Sequence, residues 1–170
     1  MKSNVTLIGM PGAGKSTTGI ILAKCLSYSF VDTDVVIQTR RKRSLQQIMD
    51  ESGYLQLRKI EEEEILALDI ENHVIATGGS AVYSERAMNH LQNMSTIIFL
   101  AVGLETIRKR IRNFETRGIA KAKTQTFRDL FDERQVLYKR YANMVIDCNK
   151  KTQEEVAETI AVELRGGCGS

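Results

Sequence analysis

Gly9-Met10-Pro11-Gly12-Ala13-Gly14-Lys15-Ser16 is the stretch on which the fold turns. It matches GxxxxGK[ST] at every fixed position, follows a short apolar run at residues 5–8, and opens a helical pattern from Lys15 to about Leu26. Glycines let the backbone curl until successive N–H groups point inward, and the start of the helix adds partial positive charge. Such a loop holds phosphates. The motif assigns Gly12, Ala13, Gly14, Lys15, Ser16 and Thr17 to the phosphates of a nucleotide, with Lys15 on the outer phosphates and the Ser16 hydroxyl available to Mg²⁺. A Gly-rich turn with an incidental lysine is the competing explanation. The strand before and the helix after argue against it.

Working outward, four more short β-like runs follow, at residues 29–31, 74–76, 96–100 and 144–146. They are apolar on consecutive positions, as strands covered on both faces are. Between them lie helical spacings such as Leu55, Ile60, Ile65, Leu68 and later Val156, Ile160, Leu164. Alternating strands and helices predict an α/β fold with a parallel sheet flanked by helices. Of the 170 residues, 42% are hydrophobic and 26% charged, which suits a single domain over 1–165; the glycine-rich 166–170 is expected to be a flexible tail. Residues 113–126 are polar and basic, with Arg117-Gly118 in the middle, and are expected to form a mobile lid.

Charge and cysteines exclude little and suggest more. The net charge is +3, and the run Arg40-Arg41-Lys42-Arg43 has no interleaved aromatics, so a solvated helix face is expected rather than a nucleic-acid patch. Cys25, Cys148 and Cys168 are an odd, scattered set and are expected to be reduced thiols. With no apolar run near the roughly 20 residues that a bilayer needs, and no signal-peptide pattern, a soluble cytoplasmic protein is expected, without nucleic-acid or membrane partners and as a monomer.

The acceptor side of the chemistry is read from the other strand ends. Asp32-Thr33-Asp34 closes the second run, where ligands of open parallel sheets collect. One acid can hold Mg²⁺ and the other can take a proton from an attacking hydroxyl; a helix-capping role for Asp34 is the alternative. Arg58 and Glu61 share a helix face at i, i+3, where the acid can orient the guanidinium or form a surface ion pair. Glu62-Glu63-Glu64 is expected to be a solvated face. Thr77-Gly78-Gly79-Ser80 follows the third run, and its glycines permit close approach of a ligand or make an ordinary turn. Arg110, Arg117 and Arg134 lie in and around the lid segment, each by itself expected to be a surface residue, while His73 and His90 carry no pattern. The guanine-reading NKxD pattern is missing, since Asn149-Lys150-Lys151-Thr152 lacks the aspartate. A small kinase acting on an anionic metabolite fits best.

Taken in order, these pieces resemble the shikimate kinase family from Val5 to about Leu164. The landmarks are the phosphate loop, Asp32-Thr33-Asp34, Arg58-Lys59-Ile60-Glu61, Gly78-Gly79, Arg117, and Glu133-Arg134 followed by Leu137-Tyr138. The resemblance implies a five-stranded parallel sheet of the nucleoside-monophosphate-kinase type with a mobile lid, and ATP with Mg²⁺ as cofactors. It implies phosphorylation of a hydroxyl of shikimate, a small carboxylate substrate. Ser16 and Asp32 would hold the metal, and Lys15, Asp34 and Arg117 would be catalytic. Asp34, Arg58, Gly78, Gly79 and Arg134 would bind the acceptor, with Arg110, Arg117 and Lys151 on the ATP side. The chain departs from the family pattern at Ser80, a glycine there, and at Gly118-Ile119-Ala120, where a proline and two leucines are usual; the proline usual near the adenine is also missing. Two other readings stay open: a kinase of the same architecture for another hydroxy acid, such as homoserine or a sugar acid, and a catalytically silent ATP-binding regulatory module.

Overall fold

The computed structural model describes residues 2–111, 119–122 and 124–166. Its frame is five strands: β1 Asn4–Ile8, β2 Ser29–Asp32, β3 His73–Ala76, β4 Ser95–Ala101 and β5 Met144–Asp147. All pair in parallel, in the order β2-β3-β1-β4-β5, as the alternating pattern predicts. Ile97, Ile98, Phe99 and Leu100 are consecutive in β4 and all fully buried. Neighbouring residues of a strand point to opposite faces, so both faces of the sheet are covered. β1 also carries buried polar residues, and each is satisfied. The Asn4 amide donates to the Ile70 and Met94 carbonyls at 2.7 and 3.1 Å, and the Thr6 and Ser95 hydroxyls meet at 2.7 Å.

Seven helices complete the described residues: α1 Lys15–Leu26, α2 Thr33–Arg41, α3 Leu45–Leu66, α4 Glu85–Met94, α5 Leu104–Arg110, α6 Phe127–Tyr141 and α7 Gln153–Gly166. α1 opens at Gly14, whose φ of 95° is a left-handed conformation that an L side chain rarely adopts. α3 is interrupted at Gly53 (φ 80°, ψ 168°). Serine and threonine caps start α3, α4 and α6, with capping boxes at Ser44/Gln47 and Thr126/Asp129. Among the described residues, no helix is long and apolar enough to cross a membrane.

Several expectations are corrected. The cap of α2 is Asp32, which accepts from the N–H groups of Asp34 and Val35, so Asp34 lies inside the helix rather than at its cap or on the strand. In α3 the inward stripe is Leu57, Ile60, Glu61, Glu64 and Ile65, whereas Leu55 is 64% exposed. Ile60 and Ile65 point inward as expected and Leu55 does not, and two of the remaining inward positions are glutamates. Glu64 is therefore no solvated residue; it is buried and pairs with Arg40 from α2. Arg41 and Arg43 pair with Glu63 and Glu51, so the basic run faces the acidic one across the α2–α3 contact. α7 extends through Gly166, one residue into the expected tail. Half of the expected lid, with Arg117 and Gly118, lies outside the described residues. Ile119 and Ala120 in its middle are 6% and 4% exposed, which a wholly polar loop would not show.

Candidate active site

The carboxyl ends of β1, β2 and β3 deliver three turns to one cavity of about 440 Å³. Residues of the phosphate loop form one wall, Asp34, Gly78 and Gly79 the floor, and Arg134, Ile119 and Ala120 the far side. Lys15 is 8% exposed, and its ammonium donates to the carbonyls of Gly9 and Met10 at 2.8 and 2.9 Å. Burial lowers its pKa to about 8, opposed by Asp34 and Asp32, so it remains the cation at neutral pH. That charge sits where the loop's N–H groups converge, which is the place for a polyphosphate.

Ser16 and Asp32 come together as the motif requires. The Ser16 hydroxyl donates to Asp32 Oδ2 at 2.5 Å, while Oδ1 serves the α2 cap. One hydroxyl and one carboxylate oxygen beside a phosphate site suit Mg²⁺, which keeps several waters and takes few protein ligands. Asp34 lines the cavity next to this pair. Burial first, and Asp32 second, raise its pKa to about 6, with Lys15 opposing. A carboxylate of that proton affinity can receive a hydroxyl proton near neutral pH.

Arg58 and Glu61 do not pair. Among the described residues no ion pair joins them; Glu61, 3% exposed, accepts instead from the Ser80 hydroxyl. The glycine turn makes room for this. A Cβ on Gly78 would meet Glu61 Oε1 at 2.1 Å and Asp34 Oδ1 at 2.7 Å, so the protein's own carboxylates, not only a ligand, demand a glycine there. Gly78 N–H donates to the Thr33 hydroxyl at 3.2 Å, and Tyr138 O–H donates to the Gly79 carbonyl at 2.7 Å. Burial, reinforced by Asp34, raises the Glu61 pKa to about 7, against pulls from Ser80, Arg134 and Lys15.

That shift predicts a pH-dependent stability. The folded pKa lies above the ordinary 4.5, so protonated Glu61 favours the fold; the contribution is full below 4.5 and lost as pH rises through about 7. Glu61→Gln, which never ionises, is expected to melt on the order of 5 °C above the parent at pH 8, with the gap closing towards pH 4.5. Thermal melts across that range check it; a gap that does not depend on pH would count against the buried charge.

Arg134 is 1% exposed, and its Nη2 donates to the Ala120 carbonyl at 2.8 Å; Arg58 Nη2 approaches the same carbonyl at 3.4 Å. Among the described residues, the Nε of each arginine is buried with no hydrogen-bond partner. An unpaired buried donor costs about 1–3 kcal/mol, and a ligand carboxylate would satisfy both. Arg110 sits outside the loop, 3.4 and 3.5 Å from the carbonyls of Gly12 and Ala13. Lys151 is exposed on the β5–α7 turn and does not line the cavity; from that region Gln153 packs against Gly14. Sequence patterns gave no signal for Gln153, for Ala120, or for the burial of Glu61.

Comparisons with known proteins converge on one family. A family model described as shikimate kinase matches residues 11–165. The shikimate kinase of Sulfurihydrogenibium sp. is 32% identical over 163 residues, covering 95% of this chain and 98% of that one. Among solved structures, shikimate kinase from Acinetobacter baumannii in complex with shikimate superposes with a TM-score of 0.92 at 25% identity, covering 100% of this chain and 97% of that one. Shikimate kinase from Aquifex aeolicus gives 0.82 at 31% identity, covering 98% and 99%.

Proposed function

The chain belongs to the shikimate kinase family, and from that premise we propose how its residues divide the transfer of the ATP γ-phosphoryl group to a hydroxyl of shikimate. The N–H groups from Gly12 to Thr17 hold the phosphates, and Lys15 offsets their charge. Ser16 and Asp32 hold Mg²⁺, which supplies further charge neutralisation when bound. The acceptor oxygen attacks the γ-phosphorus, the bond to the β-phosphate oxygen breaks, and ADP leaves. Asp34 receives the hydroxyl proton. Arg58 and Arg134 grip the acceptor carboxylate, beside Gly78 and the Gly79 N–H. Arg117 closes over the phosphates with the rest of the lid, and Arg110 and Lys151 lie on the nucleotide side. The protein acts in the cytoplasm as a monomer on this small carboxylate substrate.

One observation carries the acceptor half of this reading: Arg134, whose buried Nε has no partner among the described residues, lines the cavity that also holds Asp34 and the phosphate loop, and Arg58, which does not line it, approaches the same Ala120 carbonyl as Arg134. A guanidinium fork matches a planar carboxylate, and lysine cannot reproduce its paired donors. Arg134→Lys is therefore expected to raise the KM for shikimate by roughly ten- to a hundred-fold and leave that for ATP nearly unchanged. A panel of hydroxy acids and their uncharged amides, run with ATP and Mg²⁺, completes the test. Efficient phosphorylation of an uncharged analogue would sink the carboxylate assignment. Turnover of another hydroxy acid but not shikimate would keep the grip and change the acceptor.

A further inference from the structure

Tyr83 ends the single-turn 3-10 helix Ala81–Tyr83 that follows the glycine turn, and it does not line the cavity. Its ring nevertheless packs on Arg58 and lies near Arg134. Arg58 Cζ lies 3.6 Å from the centre of its ring and Arg134 Cζ 5.4 Å. Tyr54, one turn before Arg58 in α3, contributes a second ring at 5.1 Å. The Tyr83 hydroxyl donates to Glu133 on α6, and Glu133 also accepts from Gln125 at 3.1 Å, so the ring is tied to the helix that carries Arg134.

The contact explains how two guanidiniums stay close with no acid between them. Among the described residues, neither Arg58 nor Arg134 forms an ion pair. Glu61, the acid that helical spacing offers Arg58, is held by Ser80. A carboxylate in that place would fix the arginines and also consume the N–H donors that a ligand needs. An aromatic face attracts a cation through its quadrupole and consumes none. The Tyr83 hydroxyl also takes a side-chain hydrogen bond from Arg134, and among the described residues the Nε of each arginine stays unpaired.

Resting on the carboxylate grip proposed above, we propose that Tyr83 is a positioning residue for the acceptor: its ring is the platform over which Arg58 is held and beside which Arg134 is set, so that both present unpaired donors to one carboxylate. The sequence motifs do not include this position. The platform acts on acceptor affinity alone, because Tyr83 touches neither the phosphate loop nor Asp34.

Steady-state kinetics with shikimate, ATP and Mg²⁺ on Tyr83→Leu and Tyr83→Phe test it. Tyr83→Leu removes the ring face and is expected to raise the KM for shikimate on the order of ten-fold, with kcat and the KM for ATP unchanged within about two-fold. Tyr83→Phe keeps the face, loses the hydroxyl, and is expected to stay within about three-fold of the parent in every constant. Should the leucine variant not fold, Tyr83→Met replaces it as a flexible apolar side chain without a ring. An unchanged KM for shikimate in the ring-less variant overturns the proposal, as does an equal loss in Tyr83→Phe or a parallel rise in the KM for ATP. Arg134→Lys, measured alongside, separates the two layers. If it raises the KM for shikimate while loss of the ring does not, only the platform falls; if neither moves it, the carboxylate grip itself falls.

Discussion

Replacing Lys15 with alanine is expected to reduce kcat by roughly a thousand-fold while the protein still folds. Phosphoryl transfer asks little covalent chemistry of the protein and much positioning and charge compensation. Lys15 is the ammonium within the phosphate loop, held by the carbonyls of Gly9 and Met10 and charged at neutral pH. Its burial costs stability, so its loss removes a desolvated charge along with two hydrogen bonds, and a thermal midpoint within a few degrees of the parent should accompany the loss of rate. Single-turnover measurements with saturating ATP and shikimate check the prediction. Retained turnover within about ten-fold would falsify the assignment of Lys15 to the outer phosphates.

Asp34→Asn should lower kcat by about a hundred- to ten-thousand-fold with little change in ATP affinity. The amide preserves shape and can still accept a hydrogen bond from the acceptor hydroxyl, but it cannot take the proton. Asp34 sits inside α2 rather than at its cap, so the helix keeps its Asp32 cap in the variant. Removing the charge also relieves repulsion with Asp32 and Glu61, and the variant should melt no lower than the parent. Equilibrium ATP binding and kcat, measured on the same preparation, separate the roles. A collapse of ATP binding with near-normal turnover at saturation would move Asp34 to the phosphate and metal side.

These two residues were legible before any coordinates, and the reason is local. The phosphate loop is one continuous segment between a strand and a helix, and its chemistry is written in neighbouring residues. The inner strands β1, β3 and β4 are recognisable for a related reason, since residues buried on both faces leave an unbroken apolar run, as at Ile97–Leu100, whereas the edge strands β2 and β5 are only partly buried. Helix α3 was harder. Its inward face, Leu57, Ile60, Glu61, Glu64, Ile65, has the expected spacing, but a hydrophobicity pattern cannot place glutamates in the interior. Only partners distant in the chain make that burial tolerable: Ser80, 19 residues on from Glu61, and Arg40, 24 residues before Glu64.

The sequence by itself therefore determined the parallel sheet and the phosphate loop, and it singled out Asp34, Arg58 and Arg134, of which Asp34 and Arg134 line the cavity. What only the tertiary structure decided is how those groups are paired. Spacing at i, i+3 offered Glu61 to Arg58, and the fold gave it to Ser80 and to the neighbourhood of Asp34 instead. Arg58 was left to the ring of Tyr83, and Arg134 to the carbonyl of Ala120, 14 residues earlier in the chain. Periodicity reports which residues share a face of one element. Which side chain meets which depends on how α3, the turn after β3 and α6 pack together, and that is settled by burial across the whole domain rather than by any run of neighbours.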